Sequence, residues 1–284
     1  MQRTDTTNLL NRQPELMNPL RIAIHGAAGR MGRRLVALAA ADPDLQVIAA
    51  IDSATHPAIG QDAGLLAGVP ALGVPLASEI AVAPEVVIDF SVPAAAFEIA
   101  RACAERRIPL VLSTTGFEPE HRARIVEWGQ QIPIVWSPSM SMAVNLTMKL
   151  AALAAQVLKD YPQGVDVEII ERHHRMKEDA PSGTALKFGE IIAKELNAET
   201  PPPFVHGRSG RPGQRPRHEI GFHAVRIGDN PGEHTIVFGM MGETIELTVK
   251  ASNRDCYAVG ALAAAKFVAG KPAGMYAMAD VLGL

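Results

Sequence analysis

The chain has 284 residues, a formal net charge of −3 at pH 7, 48% hydrophobic and 20% charged residues. That balance excludes wholesale disorder, and the missing basic excess argues against a dedicated nucleic-acid binder. Two cysteines, Cys103 and Cys256, can build neither a disulfide framework nor a four-cysteine zinc cage, which favours a reducing cytoplasm.

The length suits roughly two domains of about 150 residues. Residues 1–19 are polar, include Asp5 and Glu15, lack the apolar core of an export signal, and read as a flexible leader. Leu20–Ile24 is a short apolar run that predicts a buried strand. Glycines follow, then Arg30–Ala41 with helical periodicity, stopped at Asp42-Pro43. Gln46–Ile51, Val86–Phe90, Leu110–Leu112 and Ile134–Trp136 read as further strands. Pro93–Arg107 and Glu118–Gln130 read as the helices between them, the first with proline where a missing N–H costs nothing. Strands alternating with helices imply an α/β, Rossmann-like doubly wound parallel sheet with helices on both faces.

The pattern then changes. Ala143–Asp160 reads as one long helix, in which Lys149 breaks any membrane-spanning run. Val165–Ile170 predicts a strand and Thr184–Leu196 a helix. Ile220–Ile227, His234–Phe238 and Thr244–Ala251 follow as strands with no helix between them, which suggests a mixed or antiparallel sheet in an α+β domain. Pro201–Arg217, rich in Pro, Gly and Arg, reads as a long mobile loop, and Ala258–Ala269 as a helix able to return to the first domain. The expected boundaries are 20–142 with 255–284 for a dinucleotide-binding domain, and 143–254 for a substrate-binding and oligomerisation domain.

After the first strand comes Gly26-Ala27-Ala28-Gly29-Arg30-Met31-Gly32. Glycines at this spacing serve a tight turn, a close backbone approach to a pyrophosphate, and close helix–strand packing. The helix N-terminus beyond offers free N–H groups to phosphates. The same glycines would also suit a bare strand-to-helix turn. Context favours the cradle, because Asp52 ends the second strand 20 residues after Gly32, where a carboxylate can accept from a ribose hydroxyl. Ser53 follows with no cation beside it, so NADH is expected to serve at least as well as NADPH. Arg30 and His56 are the nearest groups able to soften that preference. Ser113-Thr114-Thr115 and Ser137-Pro138-Ser139-Met140 close two later strands, and these ends should meet over the same crevice.

The most informative stretch runs from Glu168 to Thr184. Five of the six residues from Arg172 to Lys177 can carry positive charge, which makes a local anion site. Ser182-Gly183-Thr184 adds a capped helix N-terminus, a second anion site. Two such sites a few residues apart suit a small dicarboxylate. His173 and His174 do not read as metal ligands, since neighbours on a strand face opposite ways and no further ligand set accompanies them. Ser182 is explained as a helix cap. A histidine beside cations releases a proton readily near neutral pH, which suits a general acid worth about 10² to 10⁴ in rate. Lys177 can hold a carboxylate or relay a proton. A basic run can also be an ordinary solvated face, and an NAD-sensing protein without turnover would need neither His173 nor Lys177. A semialdehyde dehydrogenase would need a cysteine nucleophile on a loop, and both cysteines fall in or at helices.

Taken together, Gly26 to Gly32, Asp89-Phe90-Ser91 with Pro93, Ser113 to Phe117, Glu171 to Lys177, Asp179 to Thr184 and Gly232-Glu233-His234 resemble the dihydrodipicolinate (4-hydroxy-tetrahydrodipicolinate) reductase family, over roughly residues 20 to 284. The resemblance implies NADH- or NADPH-dependent reduction of (2S,4S)-4-hydroxy-2,3,4,5-tetrahydrodipicolinate to tetrahydrodipicolinate, with loss of water, in the diaminopimelate route to lysine. It implies His173 as general acid/base and Lys177 as second proton donor and carboxylate ligand. His174 with the backbone of Gly183 and Thr184 would bind the substrate carboxylates. Gly26, Ala27, Ala28, Gly29, Arg30, Met31, Asp52, Ser113, Thr114, Thr115, Ser137, Pro138, Ser139 and Met140 would contact the cofactor. It further implies a homotetramer assembled through the second domain's sheet, and closure of that domain on the first. Four positions depart from the pattern: His25 stands where a small residue is usual, Ser113 where glycine is common, and Ser53 and Val92 where NADPH-favouring members often carry arginine.

Overall fold

The computed structural model describes residues 18–198 and 202–284. Most of the leader, residues 1–17, and Pro201 at the start of the expected loop therefore lie outside the described residues.

The first half alternates as expected, with a short helix α2 and strand β3 that the sequence reading did not include: β1 (Leu20–His25), α1 (Arg30–Ala40), β2 (Leu45–Ile51), α2 (Ala63–Ala67), β3 (Leu76–Ala77), β4 (Val86–Asp89), α3 (Pro93–Arg106), β5 (Leu110–Leu112), α4 (Pro119–Trp128) and β6 (Pro133–Trp136). The second half is α5 (Met142–Leu158), β7 (Asp166–His173), α6 (Gly183–Glu195), β8 (Phe204–His206), β9 (Ile220–Arg226), β10 (Glu233–Met240), β11 (Glu243–Lys250), α7 (Asp255–Val268), β12 (Gly274–Tyr276) and α8 (Met278–Leu282).

Seven parallel strands form the first sheet in the order β12-β6-β5-β4-β1-β2-β3. Strands such as Val86–Asp89 are buried throughout, because helices cover both faces. Leu35, Val36 and Ala39 of α1 and Ala258, Ala261 and Ala265 of α7 pack on one face. Ala96, Ala100 and Cys103 of α3 and Ile125 and Trp128 of α4 pack on the other. The strand order reverses at β1, between β4 and β2, which opens a crevice at the strands' carboxyl ends.

The second sheet is mixed, in the order β11-β10-β7-β9-β8. β10 runs antiparallel to both β11 and β7, while β9 is parallel to β7 and β8. Val167, Ile169, Phe222, Ile236 and Phe238 point to one face and bury against Met148, Ala151, Phe188 and Ile192 of α5 and α6.

Two expectations are corrected. The strand predicted to stop at Ile170 continues to His173, so the first of the two histidines is its last residue. The stretch predicted as a long mobile loop is held in place. Phe204–His206 pairs with β9, Arg208 bonds the carboxylates of Glu168 and Glu219, and Arg215 reaches Asp166, Glu168 and the Val167 carbonyl. Burial favours the neutral form of Glu168, but Arg208, His223 and Arg215 outweigh it and bring the carboxyl down to about 2.

Candidate active site

The glycine loop is built by close approach. Gly26 has φ +76, and a Cβ there would lie 2.6 Å from the Phe90 carbonyl oxygen. At Gly32 a Cβ would lie 2.1 Å from the Gly26 oxygen, so glycine alone lets α1 start this near β1. The α1 N-cap, Gly29, provides no side-chain acceptor, and the first turn carries no acid, so no capping side chain satisfies its first N–H groups. Asp52 joins the loop from β2: Oδ2 accepts from Ala28 N at 2.9 Å and Oδ1 from Ser53 N at 2.8 Å. Gly26, Ala28, Gly29, Asp52 and Ser53 line a cleft of about 940 Å³ that runs on past His56, Glu79 and Glu98. These residues suit a dinucleotide: a cradle any Cβ would fill, a helix N-terminus for phosphate, and a fixed carboxylate for a ribose.

His25 explains its own departure from the family pattern. Its Nδ1 lies 2.7 Å from Oδ1 of Asp89, which is fully buried. Asp89 also accepts from Ser91 Oγ at 2.6 Å and Thr114 Oγ1 at 2.5 Å, and Trp136 Nε1 donates to the Thr114 carbonyl. One buried carboxylate thus ties the ends of β1, β4 and β5 together beneath the crevice.

The other expected cofactor residues divide. Thr115 and Pro138 line a second cleft of about 540 Å³, shared with Gly183 of α6, so the strand ends of the first sheet and the helix start of the second unit do face each other. Thr114, Ser137 and Ser139 are buried in local hydrogen bonds, and the Met140 side chain lies in the first core. Ala27 is buried, and Arg30, Met31 and Ser113 lie at the loop edges without lining either cleft.

In the second sheet, β7 presents Glu171 and His173 on one face, as its period of two requires. Glu171 is 1% exposed and accepts four hydrogen bonds: from His173 Nδ1 at 2.5 Å, Arg226 Nη1 and Nη2 at 2.8 Å each, and Ser182 N at 3.1 Å. Ser182 caps α6 through Ala185 N and meets His234 Nε2 at 3.0 Å. Burial lowers the pKa of His173 below its ordinary value. Glu171 opposes this, and Lys177 and Arg226 add to the lowering, so desolvation rather than the neighbouring cations leads. His234 falls to about 4, again chiefly by burial. Lys177 Nζ pairs with Asp179 at 2.7 Å. Arg172 turns to the opposite face and bonds Glu233, so it leaves the expected anion site. His174 Nδ1 is buried with no hydrogen-bond partner among the described residues. Gly183 is exposed and Thr184 half-buried at the start of α6. His173, His174 and Lys177 line neither cleft, yet Glu171 links His173 directly to Ser182, the neighbour of Gly183. Tyr257 of α7 reaches the same place, its hydroxyl 3.6 Å from where a Cβ of Gly232 would stand, with His173 Nε2 at 3.0 Å from that point.

Among the described residues no group of three or more His, Cys, Asp or Glu could hold a metal ion, and no helix is long and apolar enough to cross a membrane. Cys103 is buried inside α3, where desolvation pushes its thiol up, which leaves it unsuited to attack a carbonyl.

Family models described as the N-terminus and C-terminus of dihydrodipicolinate reductase match residues 20–140 and 143–282. The chain belongs to the dihydrodipicolinate reductase family. It is 54% identical over 273 residues to the 4-hydroxy-tetrahydrodipicolinate reductase of Rhodopirellula baltica, covering 94% of this chain and 97% of that one. It is 47% identical to that of Thiobacillus denitrificans, covering 93% and 99%. A solved dipicolinate-bound dihydrodipicolinate reductase from Paenisporosarcina superposes with a TM-score of 0.72 at 26% identity, covering 91% of this chain and 97% of that one. This reductase family therefore accounts for both sheets and for the junction between them. Sequence reasoning missed Arg226 and Tyr257, and gave Glu171 and His234 no role. The one available signal was Glu171 standing two residues before His173 on a strand, hence on the same face.

Proposed function

We propose that the protein catalyses the NAD(P)H-dependent reduction of (2S,4S)-4-hydroxy-2,3,4,5-tetrahydrodipicolinate to tetrahydrodipicolinate, with loss of water, in the diaminopimelate route to lysine. The observation that carries this is the second cleft, where Thr115 and Pro138 of the nucleotide side meet Gly183 at the start of α6. When bound in the first cleft, the cofactor supplies a hydride. The chain's own residues do the rest. Gly26, Ala28 and Gly29 hold phosphate, Asp52 a ribose, and Thr115 and Pro138 at the later strand ends the nicotinamide edge. His174, with its orphaned Nδ1, and the Gly183 and Thr184 amides hold the two substrate carboxylates.

His173 keeps Nδ1 on Glu171, so proton traffic passes through Nε2. In the free protein the lowered pKa keeps this ring neutral near pH 7. A dianionic ring beside it favours the imidazolium, so substrate binding loads the proton that His173 then donates. Lys177, released from Asp179, contacts a carboxylate and donates the second proton. His173 is thus charged only when there is something to protonate.

NADH serves at least as well as NADPH. Ser53 brings no cation beside Asp52, and His56 Nδ1 is occupied as an acceptor from Ala58 N at 3.1 Å. We assign 20–142 with 255–284 to the nucleotide domain and 143–254 to the substrate and assembly domain. The sheet face opposite α5 and α6, with Ile170, Val237 and the Thr235–Thr248 pair, supports assembly as a homotetramer, and the unpaired cysteines suit the cytoplasm. The test is loss of reduced-nicotinamide absorbance with substrate generated by the preceding synthase. Turnover with both cofactors is expected, and His173→Ala and Lys177→Ala should each lower kcat by about 10² or more. No turnover with either cofactor refutes the activity, and unchanged kcat in both variants refutes the roles.

A further inference from the structure

A dense, buried polar cluster centres on a residue that needs no contact with substrate. Glu171 sits mid-sheet, with His234 directly opposite on β10 and Arg226 opposite His173 on β9. Its two oxygens receive four donors. Oε2 takes His173 Nδ1 and Arg226 Nη1, and Oε1 takes Ser182 N and Arg226 Nη2. Three of the four, Ser182 N and the two Arg226 nitrogens, can only donate, and they hold Glu171 in its carboxylate form with a pKa below the ordinary value. The guanidinium fork meets that carboxylate bidentately, the strongest and most directional form of such a pair. Arg226 is fixed in turn through the Asp179 carbonyl.

This arrangement has two consequences. First, His173 must carry its resting proton on Nδ1, because that nitrogen faces a carboxylate that can only accept. Nε2 is then left toward Gly232, where a Cβ would stand only 3.0 Å away and leave the ring no room. Second, the same carboxylate holds the backbone N–H of Ser182, the N-cap of α6. One side chain therefore sets the position of the ring and of the helix N-terminus together.

We propose that Glu171, clamped by Arg226, is a positioning residue that fixes the tautomer of His173 and registers it against the start of α6, so that proton donor and carboxylate cradle move as one rigid unit. This rests on the assignment of His173 as general acid. The groups facing His173 are Glu171 on its own strand, Arg226 on β9, His234 on β10, Lys177 in the following loop and the neutral Tyr257 hydroxyl of α7. Of these only Glu171 is anionic, and only it favours the imidazolium.

The test compares Glu171→Gln with His173→Ala and the parent. The amide keeps the shape of Glu171 but turns an N–H₂ group on either His173 or Ser182. We expect kcat to fall about 10²-fold and the substrate KM to rise. The alkaline limb of the kcat/KM profile should move to lower pH by about one pH unit or more, since the imidazolium loses its only anionic partner. A residue that merely stabilises the sheet would lower thermal stability and leave that limb in place. Nitrogen NMR of the parent should show His173 with Nδ1 protonated in its neutral form. If His173→Ala retains full turnover, the assignment beneath the proposal is wrong. If His173→Ala is inactive while Glu171→Gln keeps both kcat and the limb, that assignment stands and the proposal is overturned. If Glu171→Gln fails to fold, the parent decides: an Nδ1–H tautomer supports the proposal and an Nε2–H tautomer overturns it.

Discussion

Replacing Gly32 by alanine separates a phosphate cradle from an ordinary tight turn. The new Cβ would lie 2.1 Å from the Gly26 oxygen and 2.5 Å from Ala27 Cα, while real Cβ contacts stay above 3.0 Å. The first of these must lengthen by 0.9 Å, the difference between 3.0 and 2.1 Å, and both partners are backbone that cannot rotate away. α1 therefore withdraws by about 1 Å, and its free N–H groups leave hydrogen-bond range of any phosphate seated in the loop. Misplacement on that scale costs about 10²-fold in a positioned site, so the Kd for NADH should rise at least about tenfold, or roughly 1.4 kcal/mol. Gly64→Ala is the control. Its Cβ would lie 2.3 Å from the Pro70 oxygen, a similar collision at α2, and Gly64 does not line the cleft. Both variants should melt earlier than the parent. Only Gly32→Ala should bind NADH weakly when titrated calorimetrically at a temperature where each is folded. Parental affinity in Gly32→Ala, or equal weakening in Gly64→Ala, refutes the reasoning.

Acidification should destabilise the fold from the histidine range downward. His234 holds a pKa of about 4 when folded against 6.5 when free, so between those values the unfolded chain binds the extra proton, and stability falls as pH drops. The loss totals roughly 3 kcal/mol, visible as a falling urea midpoint from pH 6.5 to 4.5, and His234→Gln should flatten that slope; an equal slope in the variant removes the explanation. Ser53→Arg places a cation beside Asp52 and should shift the NADPH-to-NADH ratio of kcat/KM by about tenfold toward NADPH, with an unchanged ratio counting against the ribose assignment. Arg215→Ala cuts the bonds to Asp166, Glu168 and the Glu219 carbonyl. Limited proteolysis between β8 and β9 should then quicken while the two sheets stay intact, and an equal cleavage rate would mean the clamp is not holding the segment.

What the sequence made legible was local. The glycine loop, the Ser182 cap and the Pro93 helix start each depend on a few adjacent residues, and each forms as their chemistry requires. The alternation of apolar strands with helices was equally readable up to β6, save for the five-residue α2 and the two-residue β3, which are too short to carry a period. The misreadings share another cause. Arg208 and Arg215 look like mobile-loop residues until Glu168, far back along the chain, supplies their partner. Arg172 looked like part of an anion site because charge can be read from a sequence, whereas the face of the sheet it occupies depends on where β7 ends. Met140 sits among small polar residues but faces α7, where Gly260 leaves room for its backbone. β12 escaped notice because three residues beside Pro272 and Gly270 become a strand only when the edge of β6 is there to pair with.

The return of α7 and β12 to the first sheet has a consequence for synthesis. Ala258, Ala261, Ala264 and Ala265 are fully buried against strands laid down near the amino end, and β12 closes the sheet beyond β6. A polypeptide emerging from the ribosome thus shows an unfinished apolar face until almost its last residues appear, whereas β7 to β11 are complete sooner. The lobe translated first is the one finished last, and the nascent chain needs shelter at that face throughout elongation.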